Sequence, residues 1–226
     1  MATDHLMASN VHHLVVSALA AVRARVEAGD ALLSSEDTLK FAFAWQLGRL
    51  LGFNDNYRFD FEVPAFAASE SEDMFLDLLA FTDPRFRVAF EFKLPKASVS
   101  HNSNSTQTRA KICRDIARLT HLVHRPGNDI QVGYFICATD ERAYVSEGKK
   151  RSNPHYKTYD GTSYPASTII EPGRPPNGID RPLSFPPHDV RFAWEGIENI
   201  GRAELSGRGF AWLKPIKVSQ GWSPAP

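Results

Sequence analysis

Residues 86–95 read FRVAFEFKLP. Phe86, Val88, Phe90, Phe92 and Leu94 take every second position, the period of a strand that sets one face in a core. Glu91 and Lys93 fall together on the opposite side of that alternation, two residues apart. A strand that needed only a wet face would be served by Thr, Ser or any mix of charges. An acid beside an amine therefore directs attention to whatever lies across from them.

Immediately upstream, residues 74–81 read MFLDLLAF, nearly all apolar, as in a strand buried on both faces, and interrupted by Asp77. TDPR follows as a turn signal, so the two runs make an antiparallel hairpin. With Asp83, Pro84 and Arg85 as its loop, Thr82 faces Phe86 and Asp77 faces Glu91. Directly opposed side chains lie about 4.5–5.5 Å apart at Cβ. Two carboxylates at that separation repel, and burial beside Phe and Leu makes their charge costlier still. A divalent cation compensates directly, since Mg²⁺ is typically held by one or two carboxylates plus water and substrate phosphate. Lys93 then adds a positive charge next to the water that such a metal activates.

Around the hairpin, residues 11–28 read as a helix ended by Gly29. A second helix spans residues 36–51, with Ser34 and Asp37 as an S-x-x-D cap and Gly52 as its stop. YRFDFEV, residues 57–63, alternates strictly, with Tyr57, Phe59, Phe61 and Val63 on one side. Residues 106–124 return to a helical period, and DIQVGYFICAT, residues 129–139, reads as another strand. Thereafter residues 148–190 hold 8 of the chain's 15 prolines and four glycines, which predicts a loop-dominated stretch. The later runs VRFAW (190–194) and GFAWLKPIKV (209–218) are candidates to pair with each other.

The pattern D-x13-E-x-K on a buried hairpin, after an acidic helix and before a basic one, resembles the PD-(D/E)XK nuclease superfamily. The resemblance covers about residues 34–139. It implies a restriction-endonuclease-like α/β core of order α-β-β-β-α-β, a three-layer arrangement with a central mixed β-sheet flanked by helices, and Mg²⁺-dependent cleavage of nucleic-acid phosphodiesters. It also implies that Asp77 and Glu91 ligate metal and that Lys93 orients or activates the attacking water. A helix glutamate often extends such a metal site, and Glu36 is the best match. Acidic residues are equally favoured in any first helical turn, so capping is an alternative role for Glu36, and Asp37 competes with it. Leu76 stands where the family pattern has proline. A second E-x-K, Glu147–Gly148–Lys149, lies in loop sequence and carries no such context. Asp60 and Glu62 share one strand face and read as solvated.

In the 106–124 helix, Ile112, Ile116, Leu119 and Val123 form a buried stripe. Arg114, Arg118, His121 and Arg125 follow the same steps, rotated by about 200°. That second stripe is either plain solvent-facing charge or a surface that tracks phosphates. Gln107, Arg109 and Lys111 join it as candidate nucleic-acid contacts, as do Lys149, Lys150 and Arg151 in the KKRSNPHYK loop, which is otherwise an ordinary charged surface loop.

The whole chain is compatible with this reading. Its 226 residues suit one domain, here a core over 1–147 and a Pro/Gly-rich, β-containing extension over 148–226 that forms a loop-rich C-terminal lobe packed on the same domain. Net charge is zero, which argues against a generic nucleic-acid coat, but it is unevenly placed. Residues 1–84 hold 5 Lys/Arg against 13 Asp/Glu, whereas residues 85–125 hold 9 against 2. Two cysteines make no disulfide framework and fit a reducing cytoplasm. LVVSALAAV (14–22) imitates a signal-peptide core, but no Lys or Arg precedes it and the helical pattern continues through it. No stretch is long enough to span a membrane. P-loop, G-x-S-x-G, zinc-spacing and Rossmann patterns are absent.

The sequence therefore predicts a Mg²⁺-dependent nuclease, with Mn²⁺ able to substitute, acting on DNA in preference to RNA. A homodimer is compatible with double-strand cutting. The alternative is a non-catalytic nucleic-acid- or protein-binding module on a nuclease-like scaffold.

Overall fold

The computed structural model describes residues 2–53, 57–64, 75–83, 86–97, 105–147, 156–171 and 182–219. It is a mixed α/β structure with three α-helices among the described residues, α1 (Ala2–Ala28), α2 (Glu36–Leu51) and α3 (Ser105–His124). The first four strands are β1 (Arg58–Val63), β2 (Leu76–Asp83), β3 (Phe86–Lys93) and β4 (Ile130–Thr139). Shorter ones follow: β5 (Ser163–Tyr164), β6 (Ile169–Ile170), β7 (Leu183–Ser184), β8 (Val190–Arg191), β9 (Trp194–Glu195), β10 (Ala211–Leu213) and β11 (Ile216–Ser219).

From α2 onward the order is α-β-β-β-α-β. The main sheet runs β1-β2-β3-β4-β10-β9, with β11 also on β4. The β1–β2 and β2–β3 pairs are antiparallel and β3–β4 is parallel, with α3 as the crossover between the last two. The hairpin pairs Leu78 with Phe90 and Leu79 with Ala89, the predicted register; the paired ladder ends at Leu78–Phe90, one step short of Asp77 and Glu91. Its turn is tighter than the three-residue loop expected. Asp83 pairs with Phe86, and a register shift between Phe81 and Asp83 restores the alternation.

The sheet divides the core. On one face α1 and α2 bury Val15, Val22, Leu39, Phe43 and Leu47 against Phe90, Phe92 and Tyr134. On the other, α3 sets Ile112, Ile116, Leu119 and Val123 against Ala89, Phe135 and Val218. These four helix residues are all fully buried, as their spacing predicts. Among the described residues no helix is long and apolar enough to cross a membrane.

Two local readings need correction. The α2 cap is Ser35, not Ser34: Ser35 Oγ accepts from the Thr38 N–H and the Thr38 hydroxyl oxygen accepts from the Ser35 N–H, closing a capping box one residue later than expected. The C-terminal run 209–218 does pair with the earlier one, through β9 and β10, but its larger role is in the main sheet. β10 and β11 together line β4, from Thr139↔Ala211 to Val132↔Ser219. Over the described part of 156–190, only two-residue strands form.

Gly133 shows why α3 lies so close to β4. A Cβ there would meet Leu119 Cδ2 at 3.2 Å and Val123 Cγ2 at 3.3 Å. Both neighbours are fully buried, so they have little room to yield. Gly133→Val should therefore lower stability by about 1–3 kcal/mol in a urea unfolding experiment, despite the strand preference of valine. An unchanged midpoint would mean that α3 does not depend on this close approach.

Candidate active site

Four elements deliver charge to one place. β3 ends in Glu91 and Lys93, both on the face toward α3, because Phe90 and Phe92 take the other face. β2 contributes Asp77, whose Oδ2 accepts from the Phe92 N–H at 2.7 Å. α2 brings Glu36 in its first turn. With the helix end capped by Ser35, the Glu36 carboxylate is free to turn toward Lys93, and its Oε1 lies 3.0 Å from Lys93 Nζ. α3 adds two residues: Asp115 Oδ2 sits 3.2 Å from Lys93 Nζ, and Arg118 Nη2 donates to Glu91 Oε1 at 2.8 Å while lying 3.0 Å from Asp115 Oδ1.

Burial governs the electrostatics. The Glu91 side chain is only 1% exposed, and desolvation pushes its carboxyl well above the usual range. Arg118 opposes that shift, while Asp77 and Asp115 reinforce it. Desolvation also raises Glu36 and Asp77, with Lys93 pulling both back. For Lys93, burial alone would favour the neutral amine. Asp115, Glu36, Glu91 and Asp77 outweigh it and hold the ammonium charged, above the ordinary lysine range. The guanidinium of Arg118 is stabilised in the same way, mainly by Glu91 and Asp115.

Counted as fully ionised, Glu36, Asp77, Glu91 and Asp115 face two cations, Lys93 and Arg118, a formal excess of two negative charges that burial opposes by raising the carboxyl pKa values. All-oxygen donors with that excess suit a hard dication. Lys40 stands at the border: it pairs with Asp37 at 3.0 Å and with Glu62, so its charge is already spoken for. In the arrangement described, no three His, Cys, Asp or Glu side chains among the described residues are placed to share a metal ion. The acids are instead joined through cations, with Arg118 between Glu91 and Asp115 and Lys93 between Glu36 and Asp115.

The site gathers Glu36, Asp77, Glu91 and Lys93, and the basic stripe of α3 is not uniformly solvent-facing. Arg118 points inward, since the long arginine stem lets its head reach a buried acid from a lateral helix position. Arg109 is also buried. It donates to Ala143 O and Thr106 Oγ1, each at 3.2 Å, and lies over the Tyr159 ring, so it fastens α3 to neighbouring chain. Gln107 and Lys111 are exposed on α3 and Arg114 is half-buried. Lys149, Lys150 and Arg151 lie outside the described residues. His121 and Arg125 flank a groove of about 450 Å³ near Leu183 and Phe185. Asp115 had no assigned role in the sequence reading. Its signal was its position: it lies at i+3 from Ile112, inside the i, i+4, i+7 pattern of Ile112, Ile116 and Leu119, so it had to be buried with them.

No family model matches the chain, and neither a curated protein nor a solved structure matches it significantly.

The raised carboxyls make a signed prediction. An acid whose folded pKa is raised contributes stability that is complete below its unfolded pKa, about 3.9 for Asp, and is lost as pH rises through the folded value. Asn at position 77 still offers an oxygen to the Phe92 N–H but removes the charge. Metal-free Asp77→Asn should match or exceed wild type in melting temperature at pH 8, with any advantage shrinking toward pH 4. Destabilisation at both pH values, by about 1–3 kcal/mol, would instead mark Asp77 as a structural acceptor whose charge is needed.

Proposed function

We propose that this chain is a Mg²⁺-dependent nuclease of the PD-(D/E)XK type that hydrolyses phosphodiester bonds, with DNA as its preferred substrate. The observation that carries the reading is the convergence of Glu36, Asp77 and Glu91 around Lys93 from α2, β2 and β3. These are the residues that the motif resemblance selects, and a structural ion pair needs only two of them. The α-β-β-β-α-β order and the parallel β3–β4 pair support the restriction-endonuclease-like core that the same resemblance implies.

The donor chemistry, carboxylate oxygens in formal charge excess, suits the implied metal, although in the arrangement described no three of these side chains are placed to share one ion. Asp77 and Glu91, with Glu36 as an extension, are the carboxylates that would hold it. Bound there, Mg²⁺ or Mn²⁺ supplies Lewis-acid stabilisation of charge on the phosphate and a more acidic water. The chain's own residues do the rest. Lys93, kept as an ammonium by its carboxylate neighbours, orients the attacking water and faces the charge growing on phosphate; a group held protonated does not serve as the base. Gln107, Lys111 and Arg114 on α3 meet the nucleic-acid backbone, together with the Lys149–Lys150–Arg151 run.

One observation favours a second reading. The Arg118–Glu91 and Lys93–Asp115 contacts neutralise much of the site without metal, as they would in a binding module that uses the scaffold and performs no chemistry.

Incubation with plasmid, linear duplex, single-stranded DNA and RNA separates the two. Wild type should cleave duplex DNA with Mg²⁺ or Mn²⁺ and not in EDTA, and Lys93→Ala, assayed at a temperature where circular dichroism shows it folded, should cut about 10²–10³-fold more slowly. Wild-type turnover by Lys93→Ala would remove that residue from the mechanism, and inertness of wild type toward all four substrates would leave the binding module.

A further inference from the structure

Arg118 has the sequence position of a surface residue and the contacts of an interior one. Its Nη2 joins Glu91 Oε1, from the sheet, to Asp115 Oδ1, from its own helix. The two carboxylates are 1% and 5% exposed at their side chains, while Arg118 keeps 16%. Arg118 is therefore the most exposed side chain of the trio, and its long, flexible stem gives the guanidinium the reach to leave. Lys93 cannot replace it at Glu91 and Asp115 together, because its ammonium is already shared between Asp115 and Glu36.

We propose that Arg118 is a latch that couples cation loading to nucleic-acid binding. Closed, it supplies the positive charge that Glu91 and Asp115 require. Open, it exposes those oxygens to a divalent cation and presents its fork to a backbone phosphate, a bidentate match. Cation and phosphate both bind the open state and neither binds the closed one, so each raises the affinity for the other by the same factor. Without substrate the carboxylates stay paired inside the chain. This inference rests on the nuclease reading of the same site.

The test is a calorimetric Mn²⁺ titration of the full chain as wild type, Arg118→Met and Arg118→Lys, each with and without a phosphorothioate DNA duplex. If the latch is closed in nine molecules of ten, removing it tightens Mn²⁺ binding about tenfold. Arg118→Met should show that gain in the free protein, and the duplex should no longer improve its Mn²⁺ affinity. Arg118→Lys, a single ammonium without the planar fork, should fall between; it also carries the test should the methionine variant not fold. Equal or weaker Mn²⁺ binding by the folded variants, with wild type binding normally, overturns the latch alone. Failure of all three proteins to bind Mn²⁺ overturns both the latch and the nuclease reading.

Discussion

Charge buried between a sheet and its flanking helices must be neutralised locally, because the low-dielectric interior penalises each unpaired ion by several kcal/mol. That constraint organises the centre of this protein. Glu91 cannot be covered by α3 unless α3 brings a cation, and Arg118 is that cation. Lys93 cannot end a buried strand unless acids meet it; Asp115 and Glu36 do, with the charges of Glu91 and Asp77 adding to them. The positions of α2, β2, β3 and α3 are thus tied to one another through polar contacts as well as through the apolar layers on either face of the sheet. Two carboxylates beyond what the cations balance remain, and burial raises the pKa of Glu36, Asp77 and Glu91 accordingly.

Much of this is legible in the sequence. The alternation through Phe86, Val88, Phe90 and Phe92 sets the face that Glu91 and Lys93 must occupy, and a strand has only two faces. The same period plus a turn signal sets the hairpin register, and the pairs from Leu78–Phe90 to Phe81–Arg87 follow it although the loop does not, because the shift near Asp83 absorbs the extra residue. The span of α2 followed from its apolar period and Gly52, whose φ of 79° ends the helix.

What was not legible depends on the third dimension. A helical wheel shows where a Cα lies but not where a long side chain ends, so Arg118 read as surface charge and Arg109 as a site-facing contact. Each instead pairs within the chain, Arg118 with the buried Glu91 and Arg109 with the Ala143 carbonyl. Ser34 and Ser35 are equivalent by composition; the Thr38 hydroxyl oxygen accepts from both backbone N–H groups, and the Thr38 N–H, which donates to Ser35 Oγ, distinguishes them. The pairing of β10 and β11 with β4 joins residues some 80 positions apart, as between Phe135 and Ile216, and no local pattern encodes it.

The central claim is that the excess of carboxylates at this junction is a seat for a dication that Lys93 and Arg118 only partly replace. Anomalous diffraction from crystals soaked in millimolar Mn²⁺, beside a metal-free crystal of the same form, addresses it most directly. The account predicts an anomalous peak bound by both Asp77 and Glu91, with the Arg118 guanidinium withdrawn from Glu91 Oε1. No peak at this position, with the Arg118–Glu91 and Lys93–Glu36 contacts unchanged between the two crystals, would contradict it.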